Sequence, residues 1–326
     1  MTRRVLVDTD TGIDDALALL WLAAQPDVEI VGITAVYGNC EVDDALRNVG
    51  HVLSLVGLDD VPVARGAAGP LDAEAHIAHY VHGHDGLGDV VADRPLPRVL
   101  LDTTAAEHLV ETARASPGEI DLLTLGPLTN VALALRAEPR LLTLFRSVTV
   151  MGGSGPFPAL GRTDMVDANV QNDGTAAREV FAAPATARLM VGVNATSQVI
   201  TDESHVEALR TSGTPTGTFA AAILSTYLDF YQNAWGRRVS PVHDGLAAAL
   251  MVHPEWIADS VTGPVGITHD GFATRGLVMR TAEGAAVAWH PDGSTPPPAE
   301  TTAVTAVRTD LFLPSFVDAL IHGARS

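Results

Sequence analysis

The sequence has little cysteine, little positive charge and no long apolar run. Cys40 is the single cysteine in 326 residues, which excludes an intrachain disulfide and a zinc site built from clustered thiolates. Lys and Arg together number 20 against 39 Asp and Glu, giving a formal net charge of -19. That balance repels nucleic-acid backbones and anionic membranes, and the basic residues stand mostly alone, so no basic patch is visible. No apolar stretch approaches the roughly 18 residues that span a bilayer. The opening MTRRVLVDTD lacks the apolar core and small-residue cleavage site of a secretory signal. A cytoplasmic protein is expected, with neither nucleic acid nor membrane as partner. Linkers are missing too: the one biased run, STPPPAE at 294–300, reads as a loop. With 47% hydrophobic and 18% charged residues the chain folds, and one domain over 1–326 is expected.

What is present is a repeating unit: a short β-branched run, a turn, then an Ala/Leu-rich helix. Strands are predicted at 4–8 (RVLVD), 28–38, 61–66, 120–126, 147–153 and 187–196. Helices are predicted at 14–24 and 42–57, with another opening at Asn130–Arg136. The strand runs are apolar on both faces, as in a parallel sheet covered by helices. The fold class is therefore α/β, with an open, mostly parallel, Rossmann-like sheet and right-handed crossovers. From 200 to 260 the chain reads as mainly helical. SVTGPVGITHD and ATRGLVMR then read as a hairpin, and AVTAVRTD leads to a final helix. Ligands of such sheets bind beyond the carboxyl ends of the strands. Polar or Gly-rich turns crowd at four of these ends: DTDTGIDD, YGN at 37–39, GPLTN at 126–130 and MGG at 151–153.

The first of these turns is the most charged. Asp8, Asp10, Asp14 and Asp15 lie where an apolar strand passes into an apolar helix. So many carboxylates repel one another unless protons or a cation neutralise them. A D-x-D-x-T phosphatase nucleophile fits Asp8 and Asp10, but Gly12 stands where the Thr belongs. A calcium loop of the EF-hand type needs Gly and Glu where Ile13 and Leu19 stand. A divalent cation at the strand end, completed by oxygens from distant strand ends, is the third reading. Helix capping accounts for Asp14 or Asp15, but not for Asp8 and Asp10 on the strand.

DTDTGIDDALAL resembles the D-x-D-P-G-x-D-D signature of the inosine-uridine preferring nucleoside hydrolases. The resemblance continues through YGN, LGPLTNVA, VMGG, DANVQNDGTAA and VHDGLAAAL, in that order. It implies an α/β protein that binds Ca²⁺ and cleaves the N-glycosidic bond of ribonucleosides, releasing ribose and a free base. It also implies a homodimer or homotetramer. Matched by motif, Asp10, Asp15 and Asp244 are the carboxylate ligands of calcium, and Leu125 gives a backbone oxygen. Asp14 and Asn39 match the residues that bind the ribose hydroxyls. Asp167 and Asn169 match the pair on the sugar's far side. His243 matches the histidine near the leaving base, His82 one in a covering loop, and Asp8 a supporting aspartate. Asp10 is also the expected proton acceptor for the attacking water.

The histidines His76, His79, His82 and His84 do not follow a zinc spacing. Their segment reads as a substrate-covering loop in which Gly83, Gly86 and Gly88 allow closure. Tyr227, Tyr231 and Trp235 share one helical face and either wall the base pocket or pack ordinarily. The chain departs from the family at three places. Thr11 replaces the proline, Asp167-Ala168-Asn169 replaces E-F-N, and Arg162 stands near the expected asparagine of the 5′ side.

Overall fold

A computed structural model of the chain describes residues 2–155, 167–269, 274–277, 279–280, 286–287 and 299–323. Arg162 and residues 294–298 of the STPPPAE run lie outside the described residues. The expected open α/β sheet is present. Its strands are β1 (Arg3–Thr9), β2 (Val28–Ala35), β3 (Val63–Arg65), β4 (Ile120–Thr124), β5 (Ser147–Met151), β6 (Arg188–Val191), β7 (Ile257–Gly263) and β8 (Thr301–Val307). They lie in the order β3-β2-β1-β4-β5-β6-β8-β7. Neighbours run parallel except β7, which is antiparallel to β8 at one edge.

Helices cover both faces. α1 (Ile13–Ala23), α2 (Val42–Leu55), α6 (Pro215–Trp235), α7 (Asp244–Val252) and α8 (Thr309–His322) build one apolar core with Val5 and Val7. On the other face α3 (Ala105–Ala115), α4 (Thr129–Ala137) and α5 (Gly174–Ala182) pack around Leu6, Leu122 and Val148. Successive residues of β1 thus enter opposite cores, which is why its sequence is apolar without alternation.

From β1 the chain moves outward to β2 and β3, then returns to place β4 on β1's other side. That reversal opens a crevice at the carboxyl ends of β1 and β4. α6 crosses this end of the sheet. Thr214 caps it by accepting the Gly217 N–H at 3.1 Å, Pro215 sits in its first turn, and Gly236 ends it in the left-handed conformation.

Several expected boundaries shift. The strands predicted over 28–38, 147–153 and 187–196 stop at Ala35, Met151 and Val191. The residues beyond them bend into the crevice; after Gly192 a helical turn, Val193–Thr196, replaces the end of the third. Between 200 and 260, a short antiparallel pair (Ile200–Asp202 with Val239–Pro241) interrupts the helices. The hairpin exists between Gly266–His269 and Thr274–Leu277. The preceding SVTG is not part of it: it belongs to β7, where pairing with β8 buries Val261. Helix α3 is absent from the sequence expectations, although Thr104 and Glu107 form a capping box at its start.

Leu20 of α1 is fully buried in the larger core. Leu20→Ala is expected to cost about 2–5 kcal/mol, read as a lowered denaturation midpoint at unchanged slope.

Candidate active site

The end of β1 and the start of α1 bring the aspartates under the crevice. Asp8 is fully buried, and its Oδ1 accepts hydrogen bonds from the Thr34 hydroxyl (2.5 Å) and the Asn130 amide (2.8 Å). Burial nevertheless pushes its carboxyl up to about 6. Asp10 accepts from the Asn39 backbone N–H at 2.8 Å and from its side-chain amide at 3.3 Å. A Cβ at Gly38 would come within 2.1 Å of Asp10 Oδ2, so glycine lets the backbone close on this carboxylate. Asp15 accepts from the Thr9 hydroxyl (2.5 Å), the Gly12 N–H (2.9 Å) and Asn39 Nδ2 (2.9 Å). Asn39 thus spans Asp10 and Asp15.

Asp14 turns upward: its Oδ2 accepts from the Tyr227 hydroxyl at 3.4 Å, while its buried Oδ1 has no hydrogen-bond partner. Asp244 arrives from the far side of the crevice as the first residue of α7. Burial, then the charge of Asp15, raises Asp14 to about 8. Burial and neighbouring aspartates hold Asp10 and Asp244 well above the usual carboxylate range.

Among the described residues, ligand atoms of Asp14, Asp15 and Asp244 lie within 4.8 Å of one another. All three are buried and none of the trio has an ion-pair partner among the described residues. An oxygen-only donor set with one orphaned carboxylate oxygen fits a hard divalent cation, not zinc or another thiophilic metal. The trio differs from the expected set. Asp10 lies beside Asp15 but outside this convergence, and Asp14, expected to bind sugar, is in it. The carbonyl of Leu125 accepts from Asn169 Nδ2 at 2.6 Å.

Above the carboxylates is a cavity of about 300 Å³, within the range of small-molecule sites. Asp14, Asn39, His82, Leu125, Asp167, Asn169, His243 and Asp244 line it; Asp8, Asp10 and Asp15 do not. Tyr227, Tyr231 and Trp235 do wall it, in edge-on contact with ring centroids 5.2 and 4.7 Å apart. His243 is held at both ring nitrogens, by the Thr196 hydroxyl (2.7 Å) and the Tyr231 hydroxyl (3.0 Å). Burial lowers it to about 4, so it is neutral near pH 7. His82 accepts the Ile13 N–H at Nδ1 (3.1 Å), and burial lowers it to about 3. His76, His79 and His84 do not line the cavity; His79 contacts Glu41 at 3.0 Å. Asp167 caps a short helix, Ala168–Asn172, by accepting the Val170 N–H at 2.7 Å. Thr9, Thr34, Asn130 and Thr196 support the site without having been expected there. Asn130 lay in the GPLTN turn and Thr9 in DTDTGIDD; Thr34 and Thr196 carry no local signal.

The family model described as inosine-uridine preferring nucleoside hydrolase matches residues 5–314. The chain belongs to this family. It is 37% identical over 254 residues to a probable uridine nucleosidase 2 of Oryza sativa subsp. japonica, covering 78% of this chain and 75% of that one. It is 34% identical over 283 residues to the pyrimidine-specific ribonucleoside hydrolase RihA of Citrobacter koseri, covering 86% and 88%. A plant nucleoside hydrolase, the PpNRh1 enzyme, superposes with a TM-score of 0.87 at 28% identity, over 99% of this chain and 100% of the other. The protein is a ribonucleoside hydrolase, cleaving the N-glycosidic bond. Among the described residues no helix is long and apolar enough to cross a membrane.

The raised carboxyls of Asp8, Asp10, Asp14 and Asp244 favour the protonated form in the fold. Without a cation they contribute stability at acid pH that is lost as pH rises from the ordinary carboxylate value of 3.8 through about 6 to about 8. Melting of chelator-treated protein is therefore expected to fall between about pH 5 and about pH 8. A saturating divalent cation should raise the melting temperature more at the upper pH, where its ligands are ionised. Calorimetry across this range checks both signs.

Proposed function

We propose that this hydrolase prefers pyrimidine ribonucleosides such as uridine and uses Ca²⁺ held by Asp14, Asp15 and Asp244, with Asp10 and the Leu125 carbonyl beside them. The observation that carries the reading is the convergence of three buried carboxylates beneath a cavity walled by tyrosines and neutral histidines. The relatives named for uridine and pyrimidine substrates support the base preference. The chemistry a bound divalent cation supplies there is polarisation of an attacking water and of the ribose hydroxyls. Asp10, made more basic by burial and by Asp15, accepts the water's proton. Asp14 and Asn39 on one side, and Asp167 and Asn169 on the other, hold the sugar. The acidic floor stabilises the positive charge that ribose develops as the bond breaks.

Departure of the base needs a proton. With His243 neutral, imidazolium is not the resting donor; the Tyr231 hydroxyl gives the departing base its proton, His243 Nε2–H stabilises the phenolate left behind, and the phenolate regains a proton from solvent. His82 and Tyr227, whose rings lie 5.4 Å apart, shape the same wall. A phosphatase using Asp8 as nucleophile is disfavoured: Asp8 is fully buried with its Oδ1 held by Thr34 and Asn130, and the chain contains no lysine to bind phosphate. The single unit over 1–326, a homodimer or homotetramer, and the cytoplasm complete the proposal; sedimentation tests the assembly.

A nucleoside panel assayed for both ribose and free base is expected to give a higher kcat/KM for uridine than for inosine; the reverse order removes the base assignment. Asp10→Asn should lower kcat on every nucleoside by at least about 10²-fold with bound calcium retained. His243→Ala should be slow on nucleosides yet nearly normal on a nitrophenyl riboside, whose leaving group needs no proton. Equal losses on both would place His243 in service of the sugar or the fold.

A further inference from the structure

Among the described residues, the non-glycine residues with positive φ are Thr11 (φ 29) and Asp89 (φ 57). Threonine is β-branched, and this region crowds its side chain against the backbone. Thr11 sits inside the aspartate turn, between Asp10 and Gly12. Asp89 sits in the 82–94 loop, where Asp85 and Asp89 exchange hydrogen bonds: the Asp89 N–H to Asp85 Oδ1 at 2.9 Å, and the Asp85 N–H to Asp89 Oδ1 at 3.0 Å. One side chain joins the two segments. Asn48 of α2 is fully buried, and its Nδ2 donates to the carbonyls of Thr11 and of Asp85, both at 2.8 Å. Its Oδ1 accepts from Arg94 at 2.9 Å, and Arg94 also donates to the Asp85 carbonyl and to Asp44 Oδ1, each at 3.1 Å. The loop lies directly on this amide: a Cβ at Gly86 (φ 82) would come within 2.8 Å of Asn48 Nδ2. Leu87, fully buried, anchors the loop in the core.

The other end of the strained turn meets the carboxylates. The Thr11 N–H donates to the Thr9 hydroxyl at 3.1 Å, which in turn donates to Asp15; the next N–H, Gly12, also goes to Asp15. The Thr11 carbonyl and the Gly12 N–H belong to one planar trans peptide unit, beside a strained residue, and so point in opposite directions. Holding the first therefore fixes the second.

We infer that Asn48 is a positioning residue: it clamps the Thr11 carbonyl to the Asp85 loop and so holds Asp15 in its converging geometry, although Asn48 does not line the cavity. The inference rests on the reading of Asp14, Asp15 and Asp244 as the cation site. The clamp keeps a threonine in a conformation it would otherwise leave, and it ties the aspartate turn to the same loop whose His82 receives the Ile13 N–H.

The test uses the full chain, with kcat and KM on uridine and a Ca²⁺ dissociation constant from competition with an indicator. Asn48→Ala is expected to lower kcat and weaken Ca²⁺ binding by about 10-fold or more, the scale for residues that orient a ligand. Adding Thr11→Gly, which adopts positive φ without a clamp, should restore most of both losses. A buried amide serving only the fold would be destabilised in both variants, with no recovery. Should Asn48→Ala not fold, Arg94→Gln, which leaves Asn48 Oδ1 unpaired, is expected to show a smaller loss of the same kind, again relieved by Thr11→Gly. Unchanged kcat and Ca²⁺ affinity, or losses that Thr11→Gly does not relieve, overturn the inference. Asp15→Asn separates it from the underlying reading: Ca²⁺ binding that survives Asp15→Asn rejects the cation site itself, whatever Asn48 does.

Discussion

Taking an ionised carboxylate out of water costs several kcal/mol, and the crevice holds Asp8, Asp10, Asp14, Asp15 and Asp244 all buried. Much of the surrounding structure answers that cost. Thr34 and Asn130 hold Asp8, Asn39 bridges Asp10 and Asp15, and Thr9 with the Gly12 N–H completes Asp15. These are neutral donors. No arginine pairs with the converging trio among the described residues, so its oxygens stay open to a metal ion.

The fold delivers this charge through simple topology. A parallel sheet sends every strand's carboxyl end to one side, and the reversal at β1 and β4 leaves a gap there. The floor comes from the β1–α1 turn, one wall from the turn after β4 and the 167–172 segment, the other from α6 and the start of α7. α6 contributes Tyr227, Tyr231 and Trp235 at four-residue spacing, so a rigid helix places successive rings along one side of the cavity. Burial lowers the two histidines of this wall, so they are neutral near pH 7 and add no second charged site.

Much of this was legible in the chain. Runs apolar on both faces announced a covered parallel sheet, and polar turns at their carboxyl ends marked the crevice. The aspartate cluster and the order of its companion segments pointed to the family that the comparisons bear out. Strand ends were overestimated because residues such as 36–38 remain apolar or small after the ladder stops. β7 was misread because an apolar run does not say whether it pairs with its sequence neighbour or with β8, some forty residues later. α3 carried its capping box in plain view at Thr104 and Glu107.

Residue type and order by themselves determined the fold class and the acidic character of the crevice, because these follow from local periodicity and composition. Tertiary structure alone decided which oxygens converge. Asp10 and Asp14 are equivalent in sequence, each beside the same turn. Asn39 holds Asp10, which does not line the cavity, whereas Tyr227 and Asp244 lie near Asp14, which does. The same holds for Asn48, an unremarked residue of α2 whose amide acquires its meaning from Thr11 and Asp85, each 37 positions away. Hydrogen bonds across such separations depend on how elements pack, and packing distance is not written in any local stretch of chain.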